Sequence, residues 1–191
     1  KVICSSEAHS SIKAAAAVMD IEVIKAQASP DGRLRGEAVA EALEAADGGV
    51  FAIVGTAGTT NFGIVDDLLS IGHVAKEHGI WYHIDGAYGL AGMLAPSTRH
   101  LYAGTELADS FIVDPHKWLY APYDACALVY RHPELARAAH TQHGEYLDTL
   151  TERDDWNPSD YAYNLTRRVR GLPLWFSLAT HGTKAYAAAI D

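Results

Sequence analysis

The most informative stretch of this chain is Ser110-Phe111-Ile112-Val113-Asp114-Pro115-His116-Lys117-Trp118. In it, a short apolar run leads directly into a polar turn that carries a lysine. The run predicts a buried strand. The stretch Trp81-Tyr82-His83-Ile84-Asp85-Gly86-Ala87-Tyr88 has the same layout, and its apolar run ends at an acid. Both stretches therefore place chemically capable side chains directly after a strand.

On both sides of these stretches, predicted strands alternate with predicted helices along the chain. We predict strands at 1–4, 21–24, 50–54, 80–84, 111–113 and 125–130, and helices at 9–19, at 37–46 and from Asp66 to the stop at Gly79. A short helix begins at Pro133, and a helical segment from Thr166 is interrupted at Gly171 and Pro173. This alternation predicts an α/β fold: an open, mostly parallel sheet that helices cover on both faces.

The polar residues that follow the predicted strands are expected to meet at one edge of the sheet. Ligands of such sheets bind at the carboxyl ends of the strands. The strands are followed by Ala8-His9-Ser10-Ser11, by Thr56 to Thr60, by Asp85 and by His116-Lys117. Chance would scatter these residues between both edges, so their convergence predicts a functional site.

Composition excludes several classes of partner. The 191 residues carry a net charge of −9, with no basic stripe for nucleic acid and no polybasic run for an anionic membrane. No apolar run approaches the ~20 residues of a membrane span. The histidines lack a recognised zinc spacing, so no metal is predicted. Cys4 and Cys126 are the only cysteines, which favours free thiols and a cytoplasmic location.

Lys117 and Asp85 suggest the chemistry of pyridoxal phosphate, which needs an amine for a Schiff base and a carboxylate that keeps its ring nitrogen protonated. A partly desolvated lysine is a competent nucleophile. The alternatives are a surface lysine at Lys117 and a helix N-cap at Asp85.

Three further side chains are candidates for contact with such a cofactor. His9 can stack on the ring, His116 can contact the phosphate, and Thr60, with its neighbour Thr59, can bond at the ring edge. The alternatives are a helix-start histidine at His9 and turn formation at the threonines.

Taken together, His83-Ile84-Asp85-Gly86-Ala87-Tyr88 and Asp114-Pro115-His116-Lys117-Trp118-Leu119 resemble the group II pyridoxal-phosphate-dependent amino-acid decarboxylases, and most closely the aromatic-L-amino-acid decarboxylases. Ala8-His9-Ser10-Ser11, Gly58-Thr59-Thr60 and Arg167-Arg168-Val169-Arg170-Gly171-Leu172 match in order and spacing. The resemblance implies an incomplete large domain of the fold-type I transferases in residues 1–172. It also implies a helix in 173–191 that leads toward a missing small domain, and a homodimer with the active site near the interface.

The resemblance also implies a role for each matched residue. Lys117 would carry the cofactor as a Schiff base, Asp85 would pair with the ring nitrogen, and His116 would hold the phosphate. Ala87 and His9 would pack on opposite ring faces, with Thr60 nearby. Alignment without gaps from Lys117 places Tyr146 where these enzymes carry a catalytic tyrosine that protonates the intermediate; the alternative is an ordinary loop aromatic.

The chain departs from the family pattern at two points. Asp114 stands where the aromatic decarboxylases carry asparagine, and an added negative charge near a phosphate would need a compensating cation. The glycine- and serine-rich segment that usually cradles the phosphate does not occur within the 191 residues, so we expect the chain alone to bind the cofactor poorly.

The expected function is α-decarboxylation of an L-amino acid, with an aromatic substrate favoured, to an amine and carbon dioxide. One alternative is an aldehyde synthase or another fold-type I lyase that uses the same cofactor. The other is a non-catalytic homologue that serves as an interaction module.

Overall fold

A computed structural model describes residues 1–141 and 157–191. Within them, six strands form one sheet: β1 (Val2–Ser5), β2 (Val23–Ala26), β3 (Ala52–Thr56), β4 (Trp81–Asp85), β5 (Ser110–Val113) and β6 (Ala127–Tyr130). The helices are α1 (Ser10–Val18), α2 (Gly36–Ala45), α3 (Leu68–Glu77), α4 (Pro133–His140) and α5 (Gly171–Ile190). Short 3-10 helices occupy Gly89–Leu94, Arg99–Tyr102, Thr105–Leu107 and Pro158–Tyr161.

The sheet is mostly parallel, as the alternating pattern predicts. Its strand order is β2-β1-β3-β4-β5-β6. The first five strands run parallel to their neighbours, and β6 runs antiparallel to β5. The turn that contains Lys117 therefore lies between two neighbouring antiparallel strands.

Helices pack on both faces of this sheet, which confirms the predicted fold class. On one face Ile3, Ile53 and Ile84 are fully buried in a core that also contains residues of α2 and α3. On the other face the alternate residues Val2, Cys4 and Val54 pack with residues that include Ile12 of α1. The two-residue period of the strands separates these two sets of side chains.

Helix ends differ from the predictions in three places. The structure places His9 at the N-cap of α1, so the helix predicted at 9–19 begins one residue later, and Asp67, not Asp66, caps α3. Helix α5 begins at Gly171 and carries Pro173 in its first turn, so the predicted interruption there is wrong. Proline is tolerated in a first turn because the N–H groups there lack intrahelical partners. The helix instead breaks at Gly182, whose φ is +73°.

Two arginines of the stretch Arg167-Arg168-Val169-Arg170 form ion pairs with the same aspartate. Arg168 Nη2 lies 2.8 Å from Asp124 Oδ1, and Arg170 Nε lies 3.0 Å from the same oxygen. The two arginines thereby tie the start of α5 to the segment between β5 and β6.

Candidate active site

The carboxyl ends of β3, β4 and β5 meet at one edge of the sheet. Thr56 at the end of β3 is the register partner of Asp85 at the end of β4. Asp85 in turn pairs with Ile112 of β5, so the turn that starts at Asp114 lies just beyond it. The polar residues that follow these strands therefore converge, as the sequence predicts.

A cleft of about 400 Å³ opens at this edge, on the face of the sheet that α1 covers. The cleft brings together five of the predicted site residues: His9, Thr60, Asp85, Ala87 and Lys117. Alternate strand residues form its floor, and they are Val54, Thr56, His83, Asp85 and Ile112. Lys117 and Asp85 thus lie on the same side of the sheet and open into one space.

Lys117 occupies a short turn that a hydrogen bond anchors to the turn after β4. Its backbone N–H donates to the Asp114 carbonyl over 2.9 Å, and the Asp114 N–H donates to the Ala87 carbonyl over 3.0 Å. The side-chain amine of Lys117 lies 2.9 Å from Asp114 Oδ2, and 39% of the side chain is exposed. The amine is therefore accessible from the cleft and already has an acidic neighbour.

Asp85 makes a local turn contact and also lines the cleft. Its Oδ1 accepts a hydrogen bond from the Ala87 N–H over 3.2 Å, which is the turn contact expected of an aspartate after a strand. The half-buried residue also lines the cleft. A carboxylate that a backbone N–H holds in a fixed orientation can serve as a partner for a cationic ring nitrogen.

His9 caps α1 and lines the cleft at the same time. Its Nδ1 accepts a hydrogen bond from the Ser11 N–H over 3.2 Å and lies 2.8 Å from Ser11 Oγ. The cap fixes the imidazole at the helix start.

The two threonines of the loop after β3 have different positions. Thr60 lines the cleft. Thr59 is buried, and its Oγ1 accepts a hydrogen bond from the Ile64 N–H over 3.1 Å, which is turn formation. Thr60 is therefore the threonine available to a ligand.

His116 does not line the cleft, although it precedes Lys117. Its Nδ1 contacts the Ala125 carbonyl, and its ring packs edge-on against Tyr123 with 5.0 Å between ring centroids. A role for His116 in phosphate binding stays a prediction. Tyr146 lies outside the described residues, so its role stays a prediction as well.

His83 is a cleft residue for which the sequence predicted no role. Its Nδ1 lies 2.8 Å from Ser110 Oγ, which also accepts a hydrogen bond from Trp81 Nε1 over 2.9 Å. Burial lowers the pKa of His83, against the opposing effect of the Asp85 carboxylate. The two-residue spacing from Asp85 was the signal for this position, because residues i and i+2 of a strand share a face.

Aromatic stacking joins the two turns of the cleft. Tyr88 and Trp118 lie nearly parallel, with 5.2 Å between ring centroids and an interplanar angle of 10°. Tyr88 follows the Asp85 turn and Trp118 follows Lys117, so the stack holds the amine-bearing turn beside the acid-bearing turn.

Asp66 is a second residue whose position the sequence did not reveal. Its side chain is buried and accepts hydrogen bonds from the Leu34 and Thr56 N–H groups, each over 2.8 Å. Burial raises the pKa of the Asp66 carboxyl to about 6, although these hydrogen bonds lower it. Asp66 thereby fixes the end of β3 beside Asp85.

Three further features of the described residues concern metal binding, membrane insertion and disulfide formation. Residues 1–141 and 157–191 contain no group of three or more histidine, cysteine or acidic side chains placed to hold a metal ion. No helix in these ranges is long and apolar enough to cross a membrane. Cys4 and Cys126 are both free.

Comparisons with known proteins give a consistent picture. A sequence model of the pyridoxal-dependent decarboxylase conserved domain matches residues 1–191. The aromatic-L-amino-acid decarboxylase of Drosophila lebanonensis is 37% identical over 194 residues, which cover 97% of this chain and 47% of that protein. The chain thus spans about half the length of this curated relative.

Solved structures are similar over the same extent. Oryza sativa TDC with PLP and tryptamine superposes with a TM-score of 0.91 at 27% identity, over 98% of this chain and 40% of that one. Rhodiola rosea 4-hydroxyphenylacetaldehyde synthase superposes with a TM-score of 0.85 at 26% identity, again over 98% and 40%. With a family match over its whole length and the Lys117–Asp85 cleft in place, the chain belongs to the pyridoxal-dependent decarboxylase family.

Proposed function

We propose that this chain forms part of the active site of an enzyme that removes the α-carboxylate of an L-amino acid, releasing an amine and carbon dioxide. The observation that carries the proposal is the single cleft that Lys117 and Asp85 line together. The names of curated relatives such as the Drosophila lebanonensis enzyme favour an aromatic substrate.

The residues of this cleft fit pyridoxal phosphate. Among the described residues that line this cleft of about 400 Å³, Lys117 is the one primary amine and Asp85 is the carboxylate at the end of β4. When bound, pyridoxal phosphate supplies an electron-poor, protonated ring that accepts the electron pair of the breaking bond. Lys117 would hold the group covalently, and Asp85 would keep its ring nitrogen protonated.

The remaining residues of the chain would orient and protect the reacting atoms. His9, fixed by its cap contact with Ser11, would pack on one ring face and Ala87 on the other. Thr60 would contact the ring edge, and His116 would contribute to phosphate binding. Tyr146 would deliver a proton to the substrate Cα, and exclusion of water around that carbon would prevent misdirected protonation.

The proposal also includes the oligomeric state, the domain arrangement and the cellular location of the full-length protein. We expect a homodimer with the active site near the subunit interface, residues 1–172 in a large domain and 173–191 leading toward a small domain. We also expect a cytoplasmic location. Light scattering after size-exclusion chromatography measures the oligomeric state of the full-length protein, and a monomer would contradict the expectation.

An aldehyde synthase is the second candidate, since the Rhodiola rosea enzyme of that name superposes with a TM-score of 0.85. Such a reaction consumes oxygen and releases an aldehyde, ammonia and hydrogen peroxide, whereas simple decarboxylation conserves the amine. The presence of Tyr146 favours decarboxylation.

A screen of amino acids on the full-length protein tests the proposal. We expect carbon dioxide and amine in equal amounts, little peroxide, and a borohydride-stable adduct on Lys117. Aldehyde and peroxide in amounts equal to carbon dioxide would favour the second candidate. A protein without the adduct and without products would be a non-catalytic homologue.

A further inference from the structure

Asp114 is the acidic residue of the cleft for which neither the proposed chemistry nor the predicted contacts provide a role. Its Oδ2 lies 2.9 Å from Lys117 Nζ, and only 14% of its side chain is exposed. The Asp114 N–H to Ala87 carbonyl bond and the Lys117 N–H to Asp114 carbonyl bond fix both residues in one turn. The ion pair therefore forms between two residues whose backbones are already ordered.

The Asp114 carboxylate also has the Cys126 thiol as a neighbour. Burial, together with the charge of Asp114 and a hydrogen bond to it, raises the pKa of the Cys126 thiol to about 11. The thiol is therefore protonated at neutral pH and can donate to the carboxylate. The ion pair itself is shown by the 2.9 Å distance between Asp114 Oδ2 and Lys117 Nζ.

Lys117 is the only lysine or arginine among the described residues that line the cleft. The carboxylates of the same lining are Asp85 and Asp114, and its imidazoles are His9 and His83. Asp114 therefore has no competing strong cation within that lining, and the ion pair is the state expected when the cleft holds no cofactor.

An ammonium group that is held by a carboxylate cannot attack an aldehyde, because it has no lone pair. Lys117 must first release one proton to solvent and leave Asp114. Its nitrogen then bonds to the aldehyde carbon, and the aldehyde oxygen leaves as water. No electron donor or acceptor is needed, since the condensation is not a redox step.

We propose that Asp114 is a positioning residue that holds Lys117 as its ion-pair partner in the cofactor-free protein and thereby slows covalent attachment of pyridoxal phosphate. This inference rests on the proposed function, in which Lys117 is the attachment point. Partly exposed ion pairs are weak, so we expect removal of the carboxylate to speed attachment by about twofold to fivefold.

The test compares the cofactor-free, full-length wild-type protein with Asp114→Asn, which keeps the side-chain shape and removes the charge. Asp114→Ser is a second variant that also lacks the carboxylate. Asp31→Asn is the matched control, because Asp31 forms an ion pair with Arg35, 2.6 Å long, outside the cleft. Each protein is mixed with pyridoxal phosphate, quenched with borohydride at timed intervals, and assayed for the Lys117 adduct by peptide mass spectrometry.

A parallel series with pyridoxal, which lacks the phosphate, separates two effects of Asp114. Faster attachment of both aldehydes in the Asp114 variants, with Asp31→Asn at the wild-type rate, supports the proposal. Faster attachment of pyridoxal phosphate alone would mean that Asp114 repels the phosphate, which overturns the proposal. Equal or slower attachment of both aldehydes in the variants also overturns it.

Competitive acetylation with acetic anhydride provides a readout that needs no cofactor. We expect Lys117 to be acetylated about twofold to fivefold faster in Asp114→Asn than in the wild type, with other lysines as internal references. Equal acetylation would overturn the proposal. No adduct in any of the proteins would overturn the proposed function and this inference with it, whereas equal adduct rates overturn the inference alone.

Discussion

Thr56 and Asp85 face each other as register partners at the last positions of β3 and β4. The backbone continues this pairing, because the Ala57 N–H donates to the Asp85 carbonyl over 2.8 Å. The end of β3 thus fixes the backbone from which the Asp85 carboxylate extends into the cleft.

Asp85→Asn is expected to lower the rate of carbon dioxide release by the full-length protein by about 10²–10³-fold, because the amide keeps the shape but loses the charge that holds the ring protonated. Radiometric release from carboxyl-labelled substrate measures the rate. Asp109→Asn is the control, since Asp109 also accepts a backbone hydrogen bond, from Tyr82, but at the opposite end of β4. Activity near the wild-type level in Asp85→Asn would remove Asp85 from the mechanism.

Lys117→Ala is expected to abolish the borohydride-stable cofactor adduct, because no other amine lines the described part of the cleft. Intact-mass spectrometry after reduction measures the adduct. Lys184→Ala, on exposed α5, should keep it in full. An adduct of unchanged amount in Lys117→Ala would assign the Schiff base to another residue.

Tyr146→Phe tests a residue outside the described part of the chain. Loss of the proton donor should lower amine formation by about 10²–10⁴-fold and raise aldehyde and peroxide relative to amine. Chromatography of the products and a peroxidase-coupled assay measure the two outcomes. Tyr123→Phe is the control, because Tyr123 is 84% exposed and does not line the cleft. Unchanged amine output would refute the assignment.

Ser110→Ala is expected to lower the free energy of unfolding by about 1–3 kcal/mol, because both Trp81 Nε1 and His83 Nδ1 lose their partner in a partly buried place. Urea denaturation measures the change. Thr183→Ala removes a hydroxyl group that is exposed on α5, so it should change the free energy of unfolding little. Equal effects of the two substitutions would argue against the bridging role of Ser110.

The raised pKa of Asp66 should make the free energy of unfolding fall as pH rises. Its pKa in the folded protein is about 6, above the ordinary value of 3.8, so the folded state binds the proton more tightly than the unfolded state. The resulting stabilisation is complete below pH 3.8 and is lost as pH rises through 6. Between pH 4.5 and 7.5 the wild type should lose about 2 kcal/mol relative to Asp66→Asn, measured by urea denaturation at both pH values. A pH-independent difference would contradict this assignment.

The sheet, its mostly parallel direction and the convergence of His9, Thr60, Asp85 and Lys117 were predictable from the sequence. Alternating strands and helices leave few topologies, and a parallel sheet brings its strand ends to one edge. The phosphate role of His116 came from the family resemblance, and the structure shows its ring in contact with Ala125 and Tyr123, outside the described lining of the cleft. Its phosphate role therefore stays a prediction.

At Asp66 and Pro173 the local sequence was insufficient to predict where a helix begins. Either aspartate of the pair Asp66-Asp67 suits a helix start, and only packing against Leu34 and Thr56 assigns Asp66 to the interior. Pro173 was interpreted as a break because proline disrupts helix interiors, yet the helix begins two residues earlier, where proline is harmless.

The antiparallel pairing of β5 with β6 has a consequence for how this region can vary in length. A crossover between parallel strands absorbs an added residue by shifting its helix, but the link from Val113 to Ala127 joins directly paired neighbours. A single-residue insertion or deletion between Val113 and Lys117 would shift the amine relative to the Asp114 N–H, which is bonded to the Ala87 carbonyl. We therefore expect fewer insertions and deletions in this link than in the surface turn at Gly48 and Gly49. There, no atom lies within 4 Å of a Cβ added at either residue.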